Sequence, residues 1–100
     1  VQIDGTLDEV VTLGDLHAKW HAFWWHVMKM EGNDMEDVLR VMKQAKLETG
    51  KGKPVVILMH TEMGKGVDFM MGSSRWHGRA PNAEEFALAM AQLPETIGDY

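Results

Sequence analysis

Gly50-Lys51-Gly52-Lys53-Pro54-Val55-Val56-Ile57-Leu58-Met59-His60 is the stretch on which the fold turns. Five consecutive apolar residues, Val55 to Met59, follow a glycine- and proline-rich break. An unbroken apolar run of strand length, bounded by turn residues, is the pattern of a parallel strand buried on both faces. It is far short of the roughly 20 apolar residues a membrane span requires. On its N-terminal side, Met35, Val38, Leu39 and Met42 recur at helical spacing and mark an amphipathic helix to about Glu48. Gly50 and Pro54 end that helix, as residues that cannot continue it. Further upstream, His26 to Met30 alternates in the manner of a strand. The turn Glu31-Gly32-Asn33-Asp34 joins strand to helix and supplies an N-cap.

The outer segments extend the same alternation. Asp15 caps a predicted helix to about Phe23, with Leu16, Trp20 and Phe23 on one side. Val1 to Ile3 reads as the end of a further buried strand, closed by Asp4-Gly5. After His60 comes a long segment, Glu62 to Pro81, with Gly64, Gly66, Gly72 and Gly78. A loop of that length inside a compact domain is usually functional or mobile. Asn82 with Glu85 three residues on predicts a capping box and a last helix, with Phe86, Met90 and Leu93 turned inward. The order is strand, helix, strand, helix, strand, loop, helix, an α/β pattern of three parallel strands with flanking helices. Three strands are too few to cover both faces of such a sheet. The chain opens on Val1 rather than Met, inside a strand. Both facts lead us to expect that part of the domain lies upstream.

Composition narrows the function. The chain has 100 residues, 45% hydrophobic and 25% charged, with net charge −5 and no cysteine. A net negative charge without a Lys/Arg cluster argues against nucleic acid and anionic membranes as partners. The absence of cysteine excludes disulfides and thiol chemistry and makes a reducing, cytoplasmic setting the expectation.

Several segments carry candidate chemistry. Gly64-Lys65-Gly66 follows a strand, but it lacks the glycine spacing, the Lys-Ser/Thr pair and the immediate helix of a P-loop, so a flexible loop is the better reading. His17 and His21 stand one helical turn apart, a usable metal-ligand spacing without a third ligand, and read better as surface or interface histidines. His60 ends the Val55 strand, where open α/β sheets bind ligands; a buried histidine bonded to backbone has the same pattern. Trp76-His77-Gly78, deep in the glycine loop, suits close approach to a ligand. The nine methionines follow helix and strand faces as core filler. Trp20, Trp24 and Trp25 are hard to bury in so small a unit and are expected to cover a neighbouring surface.

Taken in order, Gln2-Ile3-Asp4-Gly5, Lys19-Trp20, Ala22-Phe23, Trp25-His26-Val27, Gly32, Asp34-Met35-Glu36, Gly52-Lys53-Pro54, His60-Thr61, Met63-Gly64-Lys65-Gly66-Val67, Phe69-Met70, Trp76-His77-Gly78, Ala80-Pro81-Asn82, Pro94-Glu95-Thr96 and Gly98-Asp99-Tyr100 resemble transketolases, in particular the separate N-terminal subunit of split bacterial forms. The resemblance implies that residues 1–100 form the C-terminal part of a diphosphate-binding domain for thiamine diphosphate. It implies transfer of a two-carbon ketol unit between sugar phosphates, with Mg²⁺ or Ca²⁺ bridging the diphosphate to the protein. By the same match, the backbone carbonyl of Val1 is a metal ligand, with its Asp and Asn companions upstream. Ile3 lies beside the cofactor rings, and His77 contacts the diphosphate and the entry side of the substrate. Arg79 neighbours His77; it is placed either to reach a phosphate or to lie solvated.

The resemblance further implies a partner, a C-terminal subunit with the pyrimidine-binding domain and its activating Glu, in a homo- or hetero-oligomer. Alone, these 100 residues are expected to be inactive. Three positions depart from the pattern: Met63 where many members have Lys, Trp24 where Gly is frequent, and Asn33 where His is common. A non-catalytic scaffold module of the same fold, or another thiamine diphosphate enzyme such as a deoxyxylulose-phosphate synthase, are the alternatives. Retention of His77 and of Gln2-Ile3-Asp4-Gly5 speaks against the first, and Trp76-His77-Gly78 followed by Ala80-Pro81-Asn82 against the second.

Overall fold

A computed structural model describes residues 13–94. It divides into two compact units, one taking in the described residues up to Thr61 and the other the described residues from Glu62 onward. Each is built from short-range signals that the sequence displays openly.

In the first unit, α1 (Leu16–Ala22) starts at Asp15, whose carboxylate accepts the Ala18 N–H at 3.0 Å. That is the usual satisfaction of an orphan donor at a helix start. The strand β1 (His26–Glu31) follows, then α2 (Met35–Glu48). Asp34 caps α2 by accepting from the N–H groups of Glu36 and Asp37. The strand β2 (Val55–His60) then pairs in parallel with β1, from His26 opposite Val55 to Glu31 opposite His60. Helix α2 is thus the crossover of a βαβ unit and packs mainly on β1. Met30, Val41 and Ala45 form its buried core.

Among the described residues the sheet has two strands. The first of the three expected strands, over Val1–Ile3, lies outside the described residues. With two strands the sheet cannot bury β2 on both faces. Val55 to Leu58 are half-buried and Met59 is 54% exposed, in contrast to the fully buried strand expected from their composition. The α2 stripe shifts likewise. Val41 and Ala45 face the sheet, whereas Met35, Leu39 and Met42 are exposed. Met35, Met42, Met59, Met71 and Met90 are all exposed, so most methionines are not core filler within these residues.

In the second unit, the glycine-rich segment contains a single 3-10 turn, Ser74–Trp76, and is closed by α3 (Ala83–Gln92). The capping box is present in full: Asn82 Oδ1 accepts the Glu85 N–H at 2.8 Å, and Glu85 Oε2 accepts the Asn82 N–H at 2.9 Å. Ala89 and Val67 are buried. Phe86, Met90 and Leu93, expected to face inward, are exposed, because among the described residues of this unit only the loop offers a surface to pack on. The loop is nonetheless tied down. The Asp68 N–H donates to Gln92 Oε1 at 2.8 Å, and Gln92 Nε2 donates back to Asp68 Oδ1 at 2.9 Å. Gly64 has φ +74° and lies so close to Met70 that a Cβ would meet its backbone at 2.8 Å, so no other residue fits there.

Candidate functional site

The second unit presents the residue on which the sequence reading concentrated. Trp76 is half-buried, and its indole N–H donates to the Phe69 carbonyl at 3.0 Å. The Phe69 ring leans on it at 5.6 Å between centroids. His77 follows at the end of the 3-10 turn, its N–H bonded to the Ser74 carbonyl at 2.9 Å. Its imidazole is exposed. Gly78 then takes φ +93°, a conformation that reverses the chain and that L side chains rarely adopt. The reversal brings the Arg79 guanidinium over the Trp76 ring, 4.5 Å from its centroid. The Arg75 guanidinium lies 5.1 Å from the same ring.

His77 is therefore the apex of a turn flanked in sequence by two arginines, Arg75 and Arg79. The exposed His77 imidazole, with Arg75 two residues before it, offers N–H donors to anionic oxygens, and charge-assisted bonds of that kind are the stronger ones. No carboxylate occupies the apex, so this stretch fits the diphosphate half of a metal–diphosphate group and not the cation. Arg79 is not simply solvated, one of the two readings its sequence position allowed. Its Nη2 donates to Glu85 Oε1 at 2.6 Å. The Glu85 carboxyl is held below its ordinary value, first by the Asn82 N–H it accepts and then by Arg79. Sequence reasoning overlooked this link. The alternation Arg75, His77, Arg79 was readable; the return of Glu85 to Arg79 was not, because the five intervening residues pass from irregular chain into the start of α3, and no periodicity relates the two positions.

In the first unit, the carboxyl ends of β1 and β2 open into a cleft of about 450 Å³ lined by Lys29, Glu31, Asp37, Met59 and His60. His60 is exposed there, and its Nδ1 lies 3.2 Å from Glu31 Oε2. It is thus paired with a carboxylate rather than buried against backbone, and the position at strand ends is the one anticipated. His17 and His21 stack with nearly parallel rings, 6.3 Å between centroids. Among the described residues no three His, Asp or Glu side chains converge in a manner suited to a metal ion. Val1 and Ile3, the expected metal and cofactor contacts, lie outside the described residues. No helix among the described residues is long and apolar enough to cross a membrane.

Comparison with known proteins places these features in a family. The profile of the family described as transketolase, thiamine diphosphate binding domain, matches residues 1–95. The chain is 37% identical over 97 residues to one of the subunits of an apulose-4-phosphate transketolase from Phocaeicola vulgatus, a match covering 97% of this chain and 34% of that protein. It is 37% identical over 93 residues to the 6-deoxy-6-sulfo-D-fructose transketolase subunit SqwG of a Clostridium species, covering 93% of this chain and 33% of that protein. A transketolase of Sinorhizobium medicae is 31% identical over 93 residues, which is 13% of its length. The chain spans about a third of the subunit relatives it matches. By the extent of the profile match and by the order of its segments, this chain belongs to the transketolase family, within the thiamine diphosphate-binding domain.

Proposed function

We propose that these 100 residues are the C-terminal part of the diphosphate-binding subunit of a thiamine diphosphate-dependent transketolase. The intact subunit transfers a two-carbon ketol unit between sugar phosphates together with a C-terminal partner subunit in the cytoplasm, and these 100 residues alone are inactive. The observation that carries the reading is the exposed His77 at the apex of a turn fixed on both sides, bracketed by Arg75 and Arg79. The Phocaeicola and Clostridium relatives, each named as one subunit of its transketolase, support the division into two chains.

The cofactor supplies a carbon nucleophile and an electron sink that no side chain offers. The protein's share at this turn is to bind and orient. The His77 imidazole N–H donates to anionic oxygens of the diphosphate or of the incoming sugar phosphate. By the family resemblance, Ile3 would lie beside the rings, and the Val1 carbonyl would join an upstream Asp and Asn in holding Mg²⁺ or Ca²⁺, hard cations that take oxygen ligands.

The test uses the full-length subunit in complex with its partner, assayed with ketose and aldose phosphates. His77→Ala is expected to lower kcat/KM about 10- to 100-fold, the loss of one hydrogen bond to a charged group. The melting temperature stays within about 2 °C, because an exposed loop side chain contributes little to folding. A variant that is fully active, or one that loses activity only by unfolding, refutes the assignment.

A further inference from the structure

The turn that carries His77 is closed by contacts of its own. Trp76 and Arg79, its two ends, meet guanidinium to indole at 4.5 Å, with His77 and Gly78 between them. Each end is anchored separately. Trp76 is fixed to the Phe69 carbonyl by its indole N–H. Arg79 is fixed to Glu85, which is also the third residue of α3 and closes the capping box on Asn82. One carboxylate therefore does two things with its two oxygens. Oε2 satisfies an orphan N–H at the start of α3, and Oε1 draws Arg79 back over the indole.

An arginine already paired with a carboxylate at 2.6 Å and stacked on an aromatic face has little charge left to offer a ligand. Its planar fork suits it to hold two partners in one geometry. We infer that Arg79, held by Glu85 and stacked on Trp76, is a positioning residue that sets the orientation of the His77 turn toward anionic oxygens. The inference rests on the reading of His77 as a diphosphate contact and goes beyond it by naming what fixes that contact. Displacement of a binding group by about 1 Å is enough to cost an order of magnitude or more in function.

Glu85→Gln isolates the device, because glutamine still closes a capping box but forms no ion pair with Arg79. The measurement is thiamine diphosphate affinity by calorimetry with Mg²⁺, on the full-length subunit in complex with its partner, alongside the melting temperature. E85Q is expected to weaken cofactor binding about three- to tenfold with the melting temperature within about 2 °C, since surface changes are worth little. Arg79→Met and Arg79→Lys are expected to weaken it alike, because neither retains the planar fork.

In the His77→Ala background E85Q adds no further loss, since the two act as one unit. Additive losses overturn the inference, as does full affinity in R79K with loss in R79M, which makes the positive charge itself the ligand. If R79M unfolds, E85Q and R79K decide. Wild-type protein that binds no thiamine diphosphate refutes the underlying function and the inference with it. Wild-type binding that H77A weakens and E85Q leaves intact refutes the inference alone.

Discussion

Trp24 occupies a backbone conformation that few side chains tolerate, with φ +68°. It stands one residue past the C-cap of α1, where a left-handed residue commonly terminates a helix and where glycine is usual. The termination is complete in its bonds. The Trp25 N–H reaches the Trp20 carbonyl at 3.2 Å, and the Trp24 N–H reaches the His21 carbonyl at 2.9 Å. The accompanying apolar contact is Trp25 edge-on to Trp20, 4.8 Å between centroids. The three tryptophans thus separate into two that pack on each other and one, 65% exposed, under the Lys53 ammonium. Left-handed geometry costs a non-glycine residue roughly 1–2 kcal/mol. Against its relief stand about 0.5–1 kcal/mol for the exposed Lys53 contact and about 0.4–1 kcal/mol for the added freedom of a glycine when unfolded. Trp24→Gly is therefore expected to leave stability within about 1 kcal/mol, even though it removes the largest side chain available. Trp25→Ala is expected to cost about 2 kcal/mol or more. Urea unfolding of both variants checks the contrast; equal losses would show that Trp24 packs as Trp25 does. Asp15 announced the start of α1 in the sequence, but its end was legible only to within a residue, because tryptophan in a glycine position gives no stop signal.

At the scale of elements, caps and breaks fixed the boundaries, and their chemistry also sets the acid limb of stability. Asp34 caps α2, and Asp37 in its first turn reaches out of the helix to accept the Glu31 N–H at the end of β1, at 2.8 Å. That bond, and then the Arg40 guanidinium, hold the Asp37 carboxyl below its ordinary value of 3.8. Asp15, Glu48 and Glu85 are lowered as well, by the Ala18 N–H, by Lys51 and by the Asn82 N–H respectively. For a group whose folded value is depressed, the unfolded chain binds more protons in the interval between the two values. Its contribution is whole above the unfolded value and is lost as pH falls through the folded one. The chain is thus expected to lose stability on acidification below about pH 4, with no matching loss toward neutrality from these four groups. Asp37→Asn, which keeps an acceptor for the Glu31 N–H but does not titrate, is expected to make the acid limb shallower. Urea midpoints between pH 2.5 and 6 test this, and an unchanged slope would mean that the strand-to-helix bond is not formed in solution. What the sequence left illegible was which face of α2 is buried. Met35, Val38, Leu39, Val41, Met42 and Ala45 give the helix a wide apolar arc, and periodicity alone does not say which edge of the arc meets a sheet of two strands.

On the scale of the whole molecule, the arc not covered by β1 becomes a feature in its own right. Leu39, Met42 and Ala45 of α2 and Val55 and Ile57 of β2 line an open apolar groove of about 590 Å³. Met30, Val41 and Ala45 are the buried apolar residues of that unit, a core too small to stabilise a domain alone. The resemblance implied a domain with further sheet upstream, and the chain spans about a third of its subunit relatives. The full-length subunit is therefore expected to seat additional structure on this groove and to bury Met42, a burial worth about 1.5–3 kcal/mol for a side chain of that size. Judged by its 54% exposure here, Met42→Glu would be a surface change of less than about 0.5 kcal/mol. In the full-length subunit it is instead expected to cost about 2–4 kcal/mol, from lost apolar burial and a carboxylate held out of water. Gln44→Glu, an exposed position two residues on and outside the groove, serves as the control and is expected to be neutral. Denaturant midpoints of the two variants, each against the unaltered subunit, separate the cases. Equal and small shifts would mean that the groove stays open to water in the complete protein.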